Sequence, residues 1–381
     1  MLQSSYTASY LTLHFHQCCV LCRKLQSDTA ASTATSQTES TATGAEETVQ
    51  LEVGSATMQV ENDMLKVKVQ QLEYQLATAR QVLTFEVLKR DPSVLQHYSG
   101  LQLDLFNVLF NMCNRFELAY DQGWNVQSVP KVDQLLMTLM KLKLNLTHTD
   151  LGYRFGASRT TVGNIVTSFI HCLHKVLFEG ILVANGIPSV NKNKTCLPTC
   201  FSTFSNSRIT LDCTEVQCAI PSQSMAHQRQ TFSSYKQRNT FKGLVGVAPN
   251  GVITFVSKLY PGSTSDKAIV AASGVLDQME SGDMILADKG FVMQDLMPPG
   301  VSLNVPPFLK HGRFTKEEAR LTTTIARARI HVERAIARIK NHSILSFIPA
   351  HYRTLSSKIF QVCACLVNMQ APILKEVSLD E

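Results

Sequence analysis

Residues Ile209–Ile220 read ITLDCTEVQCAI. β-branched and apolar residues alternate there with polar ones at a period of two, as in a strand whose two faces differ. Two further β-rich runs follow, TFKGLVGVA (Thr240–Ala248) and VITFVSKLY (Val252–Tyr260), joined by Pro249-Asn250-Gly251. Asn-Gly between such runs marks a hairpin. DKAIVAASGVL, from Asp266, reads as a helix, and Asp283 as a turn. MILAD (Met284–Asp288) is a short buried strand stopped by Gly290, and VSLNVP is an apolar piece ending at Pro306-Pro307. Long helices are expected over about Thr315–His342 and Ser356–Leu374. A run of strands, then strands alternating with helices, predicts a mixed α/β sheet.

Upstream of Asn191 the period is 3.6, and residues 101–180 read as helical throughout. Within them, about 132–178 is more particular. Val132–Leu144 is an apolar helix. Thr147 caps a second helix, THTDLGYRF, with Asp150 in the capping-box position, and Gly156 breaks it. Ser158 then caps a third helix with Val162, Ile165, Val166 and Phe169 facing inward. A glycine-containing turn before a helix that opens Arg159, Thr160, Thr161 is a helix-turn-helix signature. Those three residues would lie on DNA. The plainer alternative is a helical bundle that touches nothing.

Leu65, Val69, Leu72, Leu76, Ala79 and Leu83 recur in alternating steps of four and three. Over 62–88 this predicts a short coiled coil and a homodimer formed through it. An amphipathic helix folding back on its own domain has the same pattern. Residues 1–60 are unassigned, and the Ser/Thr/Ala-rich part, 27–60, reads as a disordered linker. Cys18, Cys19 and Cys22 lack a second ligand pair at zinc spacing, since the next cysteine is Cys113.

The chain has 381 residues, 44% of them hydrophobic, which excludes wholesale disorder. Its net charge of +6 is too mild to prove a nucleic-acid partner by itself. Eleven scattered cysteines read as reduced thiols of a cytosolic or nuclear protein. No stretch reaches the roughly 18 uninterrupted apolar residues of a membrane span. His14, His16 and Gln17 break the apolar start, and no basic segment precedes it as in a signal peptide.

Three carboxylates of the α/β region sit in unusual places. Asp212 lies inside an apolar strand, where a lone carboxylate costs several kcal/mol unless compensated. Asp288 ends the strand MILAD, where open sheets place ligands. Glu333 lies in a helix whose other charges are nearly all basic. Singly, each has a structural alternative: backbone donors or an Arg for Asp212, a turn cap for Asp288, a pair with Arg329 for Glu333. Together, two strand-borne aspartates and a helix-borne glutamate suit hard divalent cations, which take oxygen ligands. Two such ions divide phosphodiester hydrolysis between activating water and steadying the leaving oxygen. Glu215 is discounted, because in a strand it points away from Asp212 while Thr214 shares its face. Asp266 reads first as a helix N-cap and second as an outer-shell residue of the site.

The helix around Glu333 adds electrostatics. Arg327, His331, Arg334 and Arg338 follow helical steps and should line one face, while Val332, Ile336 and Ile339 line the core face. Between Val301 and Leu345 nine Lys/Arg stand against three acids, an excess equal to that of the whole chain. A basic stripe beside an acidic cluster suits a polyanion that must approach and be cut. A solvated Arg face is the alternative.

LDCTEV, TFSSYKQRNTFKGLVGVAPNGVITFVSKLYPGSTSDKAI, GDMILADKGF and RARIHVERAIARIKNHSIL resemble the DDE superfamily endonuclease domain of Harbinger/PIF-type transposases. The closest likeness is to the animal branch often joined to a THAP zinc finger. The likeness runs from about Cys200 to Ala371 within a domain placed at 200–374, and the helix-turn-helix resembles the segment that precedes this domain. It implies an RNase H-like fold, and a nuclease dependent on Mg²⁺ or Mn²⁺ that holds two ions, cuts double-stranded DNA and can join the 3′-OH to a target. Carried over, the catalytic and metal-binding triad is Asp212, Asp288 and Glu333. Arg327, Arg329, Arg334 and Arg338 would then steer phosphates, with Thr240, Lys242 and Lys289 as further substrate contacts. The THAP spacing with its Cys-x-x-His pair does not occur near the N-terminus, a departure that bears on recognition of transposon ends, for which a separate DNA-recognition partner is one open source. The likeness implies the nucleus, with the cytoplasm also open. The rival expectation is a host-adopted DNA-binding or scaffold protein that kept the fold and no longer cuts.

Overall fold

The computed structural model describes residues 58–72, 82–222, 224–307 and 315–374. Residues 58–72 form a helix belonging to a separate unit that ends at Gln81. Leu65, Val69 and Leu72 are exposed on it. Leu76 and Ala79 of the heptad series lie outside the described residues, as does the linker expected over 27–60 except its last three residues, which are helical. Leu83 does not continue the series as a helix. It lies outside any helix or strand, and its N–H donates to the Arg154 carbonyl at 2.6 Å.

From Val82 onward the chain is one unit. Three helices open it: α1 (Phe85–Leu88), α2 (Pro92–Ser99) and α3 (Leu103–Asn114). Asp91-Pro92 starts α2: the Asp91 carboxylate accepts from the N–H groups of Ser93 and Val94, and proline suits the first turn. α4 (Lys131–Leu144), α5 (His148–Phe155) and α6 (Arg159–Leu173) are the expected helix-turn-helix. Thr147 and Ser158 cap α5 and α6 as their sequence suggests. Gly156 closes α5 at φ +64°, a left-handed conformation that favours glycine. Gly152 permits the tight turn in another way: a Cβ there would stand 2.5 Å from the Ala157 carbonyl oxygen.

α4 is buried over Asp133–Leu142. α6 continues in wider π-type turns through Val183. By length and composition, Arg159–Val183 is the one helix among the described residues that is apolar enough to cross a membrane, but more than half of its apolar window is buried within this fold.

The sheet follows a short helix, α7 (Val190–Lys194). It comprises β1 (Ser207–Gln217), β2 (Phe232–Ser233), β3 (Arg238–Val247), β4 (Ile253–Val256), β5 (Tyr260–Pro261), β6 (Met284–Ala287) and β7 (Ser302–Asn304). The intervening helices are α8 (Met225–Thr231) and α9 (Asp266–Ser273), and α10 (Lys316–Lys340) and α11 (Ser356–Asn368) follow the sheet. β3 lies antiparallel to β1 and to β4, whereas β6 is parallel to β1 and to β7. The order β4-β3-β1-β6-β7, flanked by helices, is an RNase H-like α/β fold.

One face of the sheet, with Ile209, Leu211, Leu244 and Ile285, packs on Ile269 and Val270 of α9. On the other face, Val216, Val245 and Val247 share a single core with α10, α11 and the helix-turn-helix. Polar contacts reinforce that join. His148 Nε2 lies 2.7 Å from the Tyr352 hydroxyl, His171 Nδ1 lies 2.9 Å from Lys358 Nζ, and His174 Nε2 lies 2.9 Å from Gln361 Oε1. The helix-turn-helix is therefore built onto the α/β layer.

Arg208 is a bulge between Ser207↔Met284 and Ile209↔Ile285. Its buried guanidinium meets the buried Asp283 carboxylate at 2.5 Å. Removing the buried partner leaves the guanidinium with the exposed Glu280 carboxylate at 3.2 Å and the Ile187 carbonyl, and uncovers the Glu280 N–H that Asp283 accepts from. Asp283→Ala is therefore expected to cost about 3 kcal/mol in urea denaturation. A loss below about 0.5 kcal/mol, the size of an ordinary surface substitution, would contradict this role.

Candidate active site at the ends of β1 and β6

Leu211 of β1 is paired with Ala287 of β6 in parallel register, so the next residues, Asp212 and Asp288, emerge side by side. α10 crosses the same face. A capping box between Thr315 and Glu318 starts it, and Ile325 and Ala328 clamp it to Leu286, Phe201 and Phe204. Farther along, Val332, Ala335, Ile336 and Ile339 enter the main core. This seating brings Arg329 and Glu333 to the aspartates. Arg329 Nη1 is 2.9 Å from Asp288 Oδ1, and Arg329 Nη2 is 3.7 Å from Glu333 Oε1.

Burial pushes the Asp212 carboxyl up to about 6, and the charges of Asp288 and Glu333 add to the rise. The positive charge of Arg329 and the Cys213 N–H, which donates to Asp212 Oδ1 at 2.8 Å, act against it. Three carboxylates from three elements thus share one electrostatic environment, with one guanidinium among them. Among the described residues, no group of three or more His, Cys, Asp or Glu side chains stands close enough to hold a metal ion as placed. The donor set nonetheless fits a hard cation: all-oxygen ligands, with an Asp212 that burial and two neighbouring anions leave short of positive charge.

The other expected contacts divide. Arg327 and Arg334 are exposed on α10. Arg329 is buried and faces the acids rather than the solvent stripe. His331 is also buried, with its ring stacked on Phe201 and Nε2 3.2 Å from Cys200 Sγ. Arg338 donates to the carbonyls of Ala371 and Pro372, so it holds the segment that follows α11. Arg327, His331, Arg334 and Arg338 share a helical sector, but that sector borders the packed face and is only partly solvated.

Asp266 is not the N-cap of α9. Ser265 is, its side chain accepting from the Ala268 N–H. Asp266 instead pairs with Lys242 at 3.3 Å, and Lys242 also lies 3.8 Å from Glu215. Thr240 Oγ1 donates to Glu215 Oε2 at 2.7 Å. Glu215, Thr240 and Lys242 are therefore held in a polar network around Asp266. Lys289 follows Asp288 directly. In the helix-turn-helix, Arg159 and Thr160 are exposed on the first turn of α6, while the Thr161 hydroxyl lies 2.8 Å from the capping Ser158 hydroxyl.

Comparison with known families agrees with this architecture. Residues 211–368 match the DDE superfamily endonuclease. Residues 127–179 match the helix-turn-helix of the DDE superfamily endonuclease. The two matches support a transposase-like DDE endonuclease. No curated protein and no solved structure matches it. The first match begins one residue before Asp212 and includes Asp288 and Glu333.

Asp212 ties the site to stability. Its carboxyl sits near 6 in the folded chain against an ordinary 3.8, so folding favours the proton. That contribution is complete below pH 3.8 and is lost as pH rises through 6. In EDTA, Asp212→Asn is expected to stabilise the protein by about 1–3 kcal/mol at pH 7.5 and to be near neutral at pH 4. Urea titrations at the two pH values measure this. An equal effect at both would contradict it.

Proposed function

We propose that this protein is a Harbinger/PIF-type, metal-dependent endonuclease that cuts double-stranded DNA with Asp212, Asp288 and Glu333. The observation that carries this reading is the convergence of those three carboxylates, from β1, the end of β6 and α10, on one face of an RNase H-like sheet. The three would hold two Mg²⁺ or Mn²⁺ ions. When bound, such ions activate water for attack on a phosphodiester and steady the leaving oxygen. The chain's own residues supply the rest. The sheet ends fix the two aspartates, α10 sets Glu333 against them, and Arg327 and Arg334 attract the DNA backbone. Arg159 and Thr160 open α6, the helix expected to lie on the duplex. Joining of the 3′-OH to target DNA would follow at the same carboxylates.

The reading extends to the setting. The protein acts in the nucleus, and is also found in the cytoplasm. It pairs as a homodimer through the heptad series that begins in the helix at 58–72, short of Leu83, and takes its end recognition from a separate partner. A second reading, an adopted DNA-binding or scaffold protein without cleavage, draws on one observation: Arg329 engages two of the three carboxylates.

Supercoiled plasmid separates the two. Nicking is expected with Mg²⁺ or Mn²⁺, absent in EDTA. Asp212→Asn, Asp288→Asn and Glu333→Gln should each lower the rate by more than about a hundredfold, the kinetic equivalent of several kcal/mol of charge stabilisation. Retained DNA binding without nicking under either metal would favour the second reading. Arg159→Ala is expected to weaken duplex binding at every sequence and to reduce the salt-dependence slope by about one. An unchanged slope in fluorescence anisotropy would remove Arg159 from the interface.

A further inference from the structure

We infer that Arg329 is the internal counter-ion of the carboxylate site, that it competes with the divalent cation for Asp288 and Glu333, and that a DNA phosphate takes it over when substrate docks. The inference rests on the metal-nuclease reading above.

The geometry has three parts. First, the Arg329 side chain is 10% exposed, whereas those of Asp288 and Glu333 are half exposed. The acids face outward toward an incoming ligand, and the guanidinium lies beneath them. Second, its bonding is incomplete. Nη1 has a close partner, Nη2 is 3.7 Å from Glu333, and Nε is buried without a hydrogen-bond acceptor. A guanidinium has five donors in a planar fork, and a phosphate accepts two of them in parallel. A structural ion pair would fill those donors from the protein. This one keeps capacity for a further anion.

Third, the charges conflict. One positive charge among three carboxylates leaves a deficit that a divalent ion suits. Yet the ion must reach Asp288, which Arg329 already holds. Ion and guanidinium therefore oppose each other for one set of oxygens. A phosphate beside them removes the conflict by accepting the guanidinium while its remaining oxygens face the ion. Ion binding and DNA binding then strengthen each other reciprocally. Arg329 is a positioning residue in this scheme, because it acts through the carboxylates and the substrate's charge.

Calorimetric titration of Ca²⁺ into the full chain tests this, using wild type and Arg329→Gln, each alone and with a 30-base-pair duplex, with duplex-only heats subtracted. Ca²⁺ takes the same oxygen ligands as Mg²⁺. Without DNA, the Gln variant is expected to bind Ca²⁺ about tenfold more tightly than wild type, within the usual range of coupling between sites. DNA should tighten Ca²⁺ binding to wild type by a similar factor and leave the variant unchanged. In EDTA at pH 7.5 the variant should melt below wild type and recover on adding Ca²⁺.

Equal Ca²⁺ affinity in the two proteins would overturn the inference while leaving the nuclease reading in place. Absence of Ca²⁺ binding to wild type, variant and both DNA complexes would overturn both. If the variant does not fold, the wild-type comparison decides alone: affinity that DNA does not change overturns the inference.

Discussion

The candidate site depends on one bulge. If β1 paired with β6 without interruption from Ser207↔Met284, residue 211 would stand beside residue 288, and a leucine would face the outer aspartate. Arg208 is taken out of the ladder, and the register advances by one, so Leu211 meets Ala287 and Asp212 meets position 288. The displaced arginine turns into the fold, where the Asp283 carboxylate and, at 3.3 Å, the Ile187 carbonyl receive it. The ion pair at the start of the strands and the paired acids at their ends are thus two consequences of the same extra residue. The parallel seam β1–β6 transmits the first to the second.

Bringing carboxylates together on a half-buried face is unfavourable, and the fold answers with charge from the same helix that supplies the third acid. Glu333 and Arg329 are one turn apart on α10. Seating the helix for one seats it for the other. The packing of Ile325 and Ala328 against Leu286 fixes the depth of both. Asp212 still carries the residual strain, as its raised carboxyl shows. Stability and function oppose each other at this position, as expected of a site shaped for a ligand rather than for the apoprotein.

Much of this was legible in the chain. Alternation in ITLDCTEV placed Asp212 inside a strand, the apolar run MILAD placed Asp288 at a strand end, and the caps Thr147 and Ser158 with Gly156 between them located the helix-turn-helix. Each of these signals is local. What was not legible is tertiary. Helical spacing put Arg338 on a basic stripe, yet its fork closes on the carbonyls of Ala371 and Pro372, more than thirty residues away. The same spacing puts His331 on that stripe, yet its ring is buried against Phe201. Glu215 was set aside by strand parity. Parity did not predict that Lys242 and Thr240, from the antiparallel neighbour, would gather around it. The heptad pattern reaches Leu83, but there the chain has left the helix and its N–H donates to the Arg154 carbonyl. The bulge at Arg208 leaves no sequence trace beyond an arginine between the polar Ser205-Asn206-Ser207 and the strand that starts at Ile209.

The shared core gives the helix-turn-helix a role beyond adhesion. A tethered reading head searches independently of its nuclease, and its linker sets how far apart the two act. Here α6 runs into the helical turns that carry His174, and His174 is bonded to Gln361 of α11. α11 in turn packs in one core with α10, which bears Glu333. Tilting α6 would require repacking that core, and close-packed interiors resist small continuous deformations. On the proposed reading, a duplex gripped by Arg159 and Thr160 meets the carboxylates at one fixed distance and phase. The position of the cut is then measured by the protein's rigid frame, and sequence recognition is left to whatever delivers the duplex to that frame.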